Sequence, residues 1–401
     1  MKGSEKVRSQ NSNLRTQKEF SEELASLRNK NLLRTLTSVN PSGNANIKIR
    51  GQVYTNFSSN DYLGLSSHPQ IVRAAAASLK KYGFGSGSSR LLSGTYLPHA
   101  ELEEKIAKFK RTEAALVFNT GYAANTGIIP VIAGRDAVIF SDELNHASIV
   151  DGTRLSKADV MVYRHRDVNH LEALLKKLFN RKSARRRLVI TDTVFSMDGD
   201  IAPVNDLTAL CDRYDAILMI DDAHGTGVLG KSGRGALEHF GIKVDKIIQM
   251  GTLSKAAGCY GGFVAGSKDL IDLLMNRARS FIYSTSLPPA AAAAGCKAID
   301  IIDRKSVRLR ERLWKNRKRL YDGLENMGFD TRGSETPIIP VLAGDVRNAL
   351  RLGHYLYENK IFAPAIRPPT APENRCRIRF SVTAGHTAED IDKALECLKK
   401  F

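Results

Sequence analysis

The segment KIIQMGTLSKAAG, residues 246–258, joins an apolar run to a turn of small residues that contains a lysine. Its first half, with Ile247, Ile248 and Met250, has the length and composition of a buried strand. Lys255 follows in the turn, and an amine so close to a buried strand is costly unless it has a chemical purpose. A lysine in such a turn is more often a solvated surface residue. Alone, the segment predicts a strand and a turn.

A second apolar run, AILMIDDAHGTG at residues 216–227, ends in acidic residues and a histidine. In an open parallel sheet the carboxyl ends of the strands meet at one edge, where ligands bind. Asp221 and Lys255 are therefore expected to face the same site. Pyridoxal phosphate (PLP) needs this pair, a lysine for its aldehyde and a carboxylate that keeps its ring nitrogen protonated. An Asp at a strand end is also a good helix cap, but the pair favours the cofactor.

The alternation of apolar runs and helical segments predicts the fold class. Seven apolar runs can be counted, namely AALVF, AVIF, VMVY, LVITD, AILMIDD, KIIQM and GGFVAG. Each is followed by a helical segment or a turn, which is typical of an α/β doubly wound, mainly parallel sheet. The loops after such strands collect at one edge. We therefore expect a single site that contains the residues found just after these runs, which are His146, Ser196, Asp221, His224 and Lys255.

Outside this region, the spacing of apolar residues predicts a helix over 20–38 and short strands at 47–49 and 53–57. A helix is expected to start near Pro69, and one long basic helix is expected from Pro289 to Met327.

The length of the chain, 401 residues, exceeds what one hydrophobic core usually serves. We expect three parts. Residues 1–58 form an N-terminal tail, helix and short strands, residues 59–288 form the large domain, and residues 289–401 form a small α+β domain.

Composition limits the possible functions. The five cysteines are scattered and form no CxxC pair, which suggests reduced thiols, a cytoplasmic location and no metal site. No apolar run approaches the length of a membrane span, and the polar N-terminus is not a secretory signal.

The formal net charge is +18, with basic clusters at 181–187 and 304–319. Nucleic-acid binding has to be considered for such a chain. Both clusters show helical spacing of Leu and Ile, so solvated helix faces are the favoured interpretation. A basic surface also attracts polyanionic substrates or acidic carrier proteins, and we expect that use, with no nucleic-acid or membrane partner.

The motifs of the chain resemble those of a known family, the α-oxoamine synthases of the fold-type-I PLP enzymes. The resemblance runs from about residue 20 to the end, and the motifs stand in the family's order. They are NFSSNDYLGL, TGYAAN, LNHAS, VFSMDGD, DDAHGTGVLG, GTLSKA, YSTSLPP and IRPPT. The resemblance implies an aspartate aminotransferase-like fold and a homodimer with its sites at the subunit interface.

The resemblance also implies cofactor contacts at matching positions. Lys255 would hold the cofactor aldehyde and act as the base. Asp221 would pair with the ring nitrogen, and His224 would contact the ring hydroxyl. His146 would stack on the ring. The remaining contacts would come from Gly121, Tyr122, Ser196, Thr252 and, from the second subunit, Thr285. The helix that begins at Gly121 independently favours phosphate, because its first amides are free.

For the substrates, the resemblance implies Asn60 and Arg379 at the amino-acid carboxylate, Arg34 and Thr370 at the acyl group, and His146 beside both. Arg377 is a rival for Arg379, because residues two apart on a strand share a face. The spacing to His386 favours Arg379. Asp192 stands where the family often has Glu, which leaves its role open.

The implied reaction is a PLP-dependent decarboxylative condensation of an amino acid with an acyl thioester. DDAHGTG, YSTSLPP and IRPPT are most similar to members that use L-alanine and a pimeloyl thioester, on coenzyme A (CoA) or acyl carrier protein. The alternative within the family is glycine with acetyl-CoA. The alternative outside the family is a basic noncatalytic protein with a relic cofactor site. The presence of all three residues Asp221, His224 and Lys255 argues against this alternative.

Overall fold

The computed structural model describes residues 17–179, 186–244 and 246–401. The predicted N-terminal tail before residue 17 lies outside the described residues. Of the basic cluster at 181–187, only Arg186 and Arg187 are described.

From residue 17 onward, the described N-terminal part contains three helices and three short antiparallel strands. The elements are α1 (17–29), β1 (Asn40–Pro41), β2 (Asn46–Ile49), β3 (Gln52–Asn56), α2 (Pro69–Tyr82) and α3 (Leu97–Lys110). The two short strands and the helix start at Pro69 confirm the predictions for this region.

The prediction of a helix over 20–38 is wrong at its C-terminal end. The backbone of Asn31 turns into the left-handed region with φ 56°. The amides of Leu32 and Leu33 then donate back to the carbonyl of Leu27. The apolar spacing continues through this turn, so periodicity alone could not locate the helix end.

A seven-stranded sheet forms the centre of the molecule. Its strands are β4 (Ala114–Phe118), β5 (Ala137–Asp142), β6 (Asp159–Tyr163), β7 (Arg186–Asp192), β8 (Ile217–Asp221), β9 (Ile247–Thr252) and β10 (Gly262–Gly266). The spatial order is β4-β10-β9-β8-β7-β5-β6. All pairs are parallel except those of β10, which is antiparallel to β4 and β9. The predicted mainly parallel sheet is confirmed.

Helices cover both faces of this sheet, and they explain why its strands are continuous apolar runs. They are α4 (Gly121–Ile132), α5 (Ala147–Ser156), α6 (Val168–Phe179), α7 (Val204–Arg213), α8 (Ala236–Phe240), α9 (Lys268–Arg277) and α10 (Arg279–Ile282). Every residue of β5 and β9 is buried, as expected for a parallel sheet that has no solvent face.

The predicted single helix from Pro289 to Met327 is two helices, α11 (Pro289–Lys305) and α12 (Val307–Asn326). The break is at Ser306, whose hydroxyl donates to the carbonyl of Ile302 at 2.6 Å. The Arg310 guanidinium also donates to that carbonyl, at 3.3 Å. Side-chain hydrogen bonds of this kind compete with the helical ladder.

The C-terminal region is α+β, as predicted. Its elements are β11 (Ile338–Gly344), α13 (Val346–Glu358), β12 (Ile361–Phe362), β13 (Ala365–Ile366), β14 (Cys376–Ser381) and α14 (Ala388–Lys399). Strands β11, β14 and β13 form one antiparallel sheet, whereas β12 joins the N-terminal strands in the order β1-β2-β3-β12. Helix α11 lies against α2 and α3. The division at residues 58 and 288 stays a prediction.

All five cysteines are free thiols, four of them buried. None of the helices in the described part of the chain is long and apolar enough to cross a bilayer.

Candidate active site

Three strand ends bring charged side chains, two acidic and one basic, to the carboxyl edge of the sheet. Asp192 ends β7 and Asp221 ends β8, and the two are paired in register. Asp221 is in turn paired with Met250 of β9. The turn after β9 carries Lys255, which interacts electrostatically with both carboxylates. The predicted convergence of Asp221 and Lys255 is therefore present in the structure.

The carboxylate of Asp221 is buried, with 4% of the residue exposed, and its orientation is held from two sides. The Asn125 side-chain amide donates to Oδ2 at 2.8 Å, and the amide of Ala223 donates to Oδ1 at 3.0 Å. Asn125 also donates to Ser148 Oγ at 2.9 Å. Sequence reasoning missed Asn125. Its signal was its place in TGYAAN, four residues after Gly121 and on the same helix face.

Lys255 is partly buried, and burial lowers the pKa of its amine. Asp221 and Asp192 act in the opposite direction, and Arg379 lowers the pKa further. Because the neutral amine is the form that attacks carbonyls and accepts protons, a lowered pKa suits both roles expected of this lysine.

His146 caps helix α5 and is anchored by Asp192. Its backbone amide donates to Asp192 Oδ2 at 2.7 Å, and its Nδ1 lies 2.7 Å from Ser148 Oγ. Loss of solvent around the ring lowers the pKa of the imidazole, while Asp221 raises it. The residue as a whole is exposed, so a ring face remains free for stacking.

Asp192 is fully enclosed, and burial raises the pKa of its carboxyl well above the usual range, with Asp221 adding to the shift. Its backbone amide donates to Asn145 Oδ1 at 2.9 Å. Asp192, whose role the sequence left open, thus lies next to the backbone of His146 and beside Asp221.

His224 is buried, and its Nδ1 lies 2.7 Å from the hydroxyl of Tyr62. Burial lowers the pKa of His224 well below its usual range, and the cations Lys255 and Arg379 lower it further. The ring is therefore neutral at physiological pH. Tyr62 was not among the residues that the sequence assigned to the site.

The N-terminus of α4 faces the end of β9. Thr120 caps the helix by accepting from the amide of Ala123, which leaves the amides of Gly121 and Tyr122 without helical acceptors. A Cβ at Gly121 would lie 3.0 Å from Met250 Cε and 3.7 Å from Thr252 Cβ. The start of α4 therefore lies directly beside the end of β9, in van der Waals reach of Thr252.

The other predicted phosphate contacts surround this helix start. The Thr252 hydroxyl donates to Gly261 O at 2.8 Å. Thr285 is exposed, and its carbonyl accepts from Asn119 Nδ2 at 2.8 Å, just before α4. Tyr122 is half-exposed, and its hydroxyl contacts Asp151.

The two carboxylate-binding candidates, Arg379 and Asn60, contact each other. The Arg379 guanidinium donates to the carbonyl of Ser196, to Ser381 Oγ at 2.6 Å and to Asn60 Oδ1 at 3.2 Å. The rival Arg377 is paired with Asp198 at 2.7 Å. These contacts favour Arg379, because the charge of Arg377 is already compensated.

Arg34 and Thr370 meet at one exposed loop. Arg34 donates to Pro368 O at 2.9 Å, and the amide of Thr370 donates to Arg367 O at 3.1 Å. The described contacts bring these two residues to the same loop and connect neither of them to Lys255.

Comparison with known proteins assigns the family. Residues 52–398 match the family described as aminotransferase class I and II. An 8-amino-7-oxononanoate synthase of Geobacter sulfurreducens is 50% identical over 94% of this chain and 96% of its own length. The chain belongs to the α-oxoamine synthases of this family. A second 8-amino-7-oxononanoate synthase, from Thermoanaerobacter pseudethanolicus, is 47% identical over 94% of this chain and 95% of its own length.

Solved structures agree with the fold of this α-oxoamine synthase. A serine palmitoyltransferase from S. paucimobilis with bound PLP-myriocin superposes with a TM-score of 0.89 at 30% identity and covers 95% of this chain and 96% of its own. The 8-amino-7-oxononanoate synthase of Francisella tularensis gives a TM-score of 0.73 at 30% identity, with 86% of this chain and 97% of its own covered. The fold is that of the fold-type-I PLP transferases.

PLP is the cofactor of this α-oxoamine synthase, and the described residues fit it. A buried, oriented carboxylate, Asp221, lies near an amine of lowered pKa, Lys255. A helix N-terminus with free amides begins at Gly121, next to Thr252. Ring nitrogen, aldehyde and phosphate thus each have a partner of suitable chemistry.

Proposed function

We propose that this α-oxoamine synthase condenses L-alanine with a pimeloyl thioester to form 8-amino-7-oxononanoate, with release of the carrier thiol and CO2. The observation that carries the proposal is the Arg379–Asn60 hydrogen bond at 3.2 Å, in which Arg379 is close enough to Lys255 to lower the pKa of its amine. The names of the relatives that match nearly the whole chain support the choice of product.

Each side chain of the site has a separate role in the proposed reaction. When bound, PLP supplies a carbonyl for amine attachment and an electron sink for bonds at the amino-acid Cα. Arg379 and Asn60 bind the alanine carboxylate, and Asp221 keeps a proton on the cofactor's ring nitrogen. Lys255, whose amine has a lowered pKa, accepts the Cα proton and later returns it.

Other residues of the site would shield and hold the cofactor. His146, whose backbone amide donates to Asp192, would stack on the bound cofactor and keep water from one face of the reacting carbon. The buried ring of His224 would contact the ring oxygen of bound PLP. The hydroxyl of Tyr62 lies against this ring on the side of its Nδ1.

A substrate panel tests the proposal. Alanine, glycine and serine are each paired with pimeloyl-CoA, pimeloyl acyl carrier protein and acetyl-CoA, and the released thiol and the product mass are measured. Alanine with a pimeloyl donor is expected to give the highest kcat/KM. A preference for glycine with acetyl-CoA would assign the enzyme to the other branch of the family.

A homodimer with its sites at the subunit interface is part of the proposal. The loop at 84–94 and the YSTSLPP segment are held together by a Ser89–Thr285 bridge and by Ser86 Oγ, which donates to Leu287 O at 2.8 Å. Both segments expose large apolar side chains, Phe84 at 77%, Leu92 at 82% and Tyr283 at 72%. A cluster of this kind is typical of an interface. Sedimentation of an active monomer would contradict it.

A further inference from the structure

Tyr62 lies at a junction between the carboxylate-binding side and the cofactor side of the site. The residue is 1% exposed, and its carbonyl accepts from the amide of Ala384 at 2.7 Å. Its hydroxyl lies 2.7 Å from His224 Nδ1 and 3.3 Å from Asn60 Oδ1. Arg379 also interacts with this hydroxyl as a hydrogen-bond partner.

Both the phenol and the imidazole are neutral near physiological pH. Burial raises the pKa of Tyr62 to about 12, although Arg379 acts in the opposite direction. Burial and nearby cations lower the pKa of His224. Each group therefore carries one exchangeable proton, and two arrangements are possible. Either Tyr62 donates to Nδ1 and the imidazole proton is on Nε2, or Nδ1 carries the proton and donates to Tyr62.

The geometry favours the first arrangement. In the second, the Tyr62 proton would have to go to Asn60 Oδ1, which is 3.3 Å away and already accepts from Arg379 at 3.2 Å. The contact with His224 is shorter, at 2.7 Å. In the first arrangement, the hydroxyl oxygen of Tyr62 is also free to accept from the guanidinium, so Arg379, Tyr62 and His224 form one chain of donors.

We propose that Tyr62 is a positioning residue that holds His224 in the tautomer with its proton on Nε2 and connects it to Arg379. The proposal rests on the proposed function, because it concerns the same site. A protonated Nε2 is a donor, which matches an anionic ring oxygen on the cofactor, whereas an unprotonated Nε2 would be repelled by it. Tyr62 thereby links the group that binds the amino-acid carboxylate to the group that contacts the cofactor ring.

Nitrogen-15 NMR of the PLP-loaded enzyme, labelled only in histidine, tests the tautomer directly. The chain has nine histidines, and the His224 signals are assigned by their loss in His224→Asn. We expect Nδ1 of His224 to be unprotonated and hydrogen-bonded, with the proton on Nε2. In Tyr62→Phe, the Nδ1 signal is expected to move to the position of an unbonded nitrogen.

Tyr214→Phe is the matched control, because this buried hydroxyl donates to Glu172 at 3.0 Å and lies outside the site. It should leave the His224 signals unchanged. Tyr62→Phe should lower kcat by about tenfold, the effect of one lost hydrogen bond, whereas the control should stay within about twofold.

A proton on Nδ1 in the wild-type enzyme would overturn the proposal, and this result does not depend on whether Tyr62→Phe folds. An Nδ1 signal that is identical in Tyr62→Phe and wild type would also overturn it. The NMR experiment requires no acyl donor. Failure of the tautomer assignment is therefore distinguishable from failure of the proposed reaction, which the substrate panel decides.

Discussion

Replacement of Lys110 by methionine should strongly destabilise the enzyme. The ammonium of Lys110 is fully buried and lies 2.7 Å from Asp222 Oδ2, with side-chain exposures of 0% and 1%. It also donates to Thr226 Oγ1 at 2.8 Å and to Arg234 O at 2.7 Å. Lys110→Met conserves the shape of the side chain and leaves the Asp222 carboxylate buried without its cation.

The magnitude follows from what remains around Asp222. Loss of one partner of a buried ion pair costs about 3–5 kcal/mol. The carboxylate keeps the donors Thr193 Oγ1 at 2.8 Å, Thr226 Oγ1 at 2.9 Å and the amide of Ala236 at 3.1 Å. Because these donors still stabilise the carboxylate, the expected loss of unfolding free energy is near the lower end of that range, about 3 kcal/mol. At roughly 2 °C per kcal/mol for a large domain, the melting temperature should fall by about 6 °C.

The assay is thermal melting of the PLP-loaded enzyme at one fixed protein concentration, because cofactor and subunit binding both shift the apparent stability. Lys108→Met is the matched control on the same helix. Its pair with Glu104 is exposed, at 74% and 66%, and should contribute little to stability because solvent screens it.

A double-mutant cycle isolates the charge effect. Lys110→Met combined with Asp222→Asn leaves no unpaired charge, so the double variant should be less destabilised than the sum of the single variants. The reasoning is refuted if Lys110→Met melts like Lys108→Met, or if the two changes are simply additive.

Three further outcomes are expected. His165 is held between Asp142 and Asp200, and their carboxylates raise its pKa to about 9 against the opposing effect of burial. The contribution of His165 to stability is therefore full below pH 6.5 and is lost as pH rises through 9. Denaturant titrations should show this loss in wild type and not in His165→Gln. Burial lowers the pKa of His386 to about 4, so stability should also decrease as pH falls from 6.5 to 4, and His386→Gln should flatten that limb. The net charge is +18, and exposed charges are screened beyond about 10 Å at 0.1 M salt. The KM for the acyl donor should therefore rise with salt, while the KM for alanine, set by the buried Arg379, changes little. A donor KM that does not change with salt would show that the basic surface plays no part in binding the acyl donor.

The sheet could be predicted because its strands other than the edge strand β6 are buried on both faces. Each reads as a continuous apolar run, and Asp221 and Lys255 stand where such runs stop. The residues just after the strands were found for the same reason. A parallel sheet brings its strand ends to one edge whatever the details of packing.

The helix ends and the supporting residues of the site were not predictable in the same way. Helix α1 ends in the turn at Asn31, and α11 ends at Ser306, through local hydrogen bonds that leave the apolar spacing intact. Tyr62 and Lys110 act through partners more than 100 positions away in the chain. No local pattern encodes such contacts.

The most direct test of the account is to find the lysine that holds the cofactor. The purified enzyme is saturated with PLP, reduced with borohydride, digested and analysed by mass spectrometry. The account predicts one stoichiometric PLP adduct, on Lys255, and none on the buried Lys110. In Lys255→Ala the adduct and turnover should both be lost while the melting profile stays cooperative. An adduct on another lysine, or turnover close to wild type in Lys255→Ala, would contradict the assigned site.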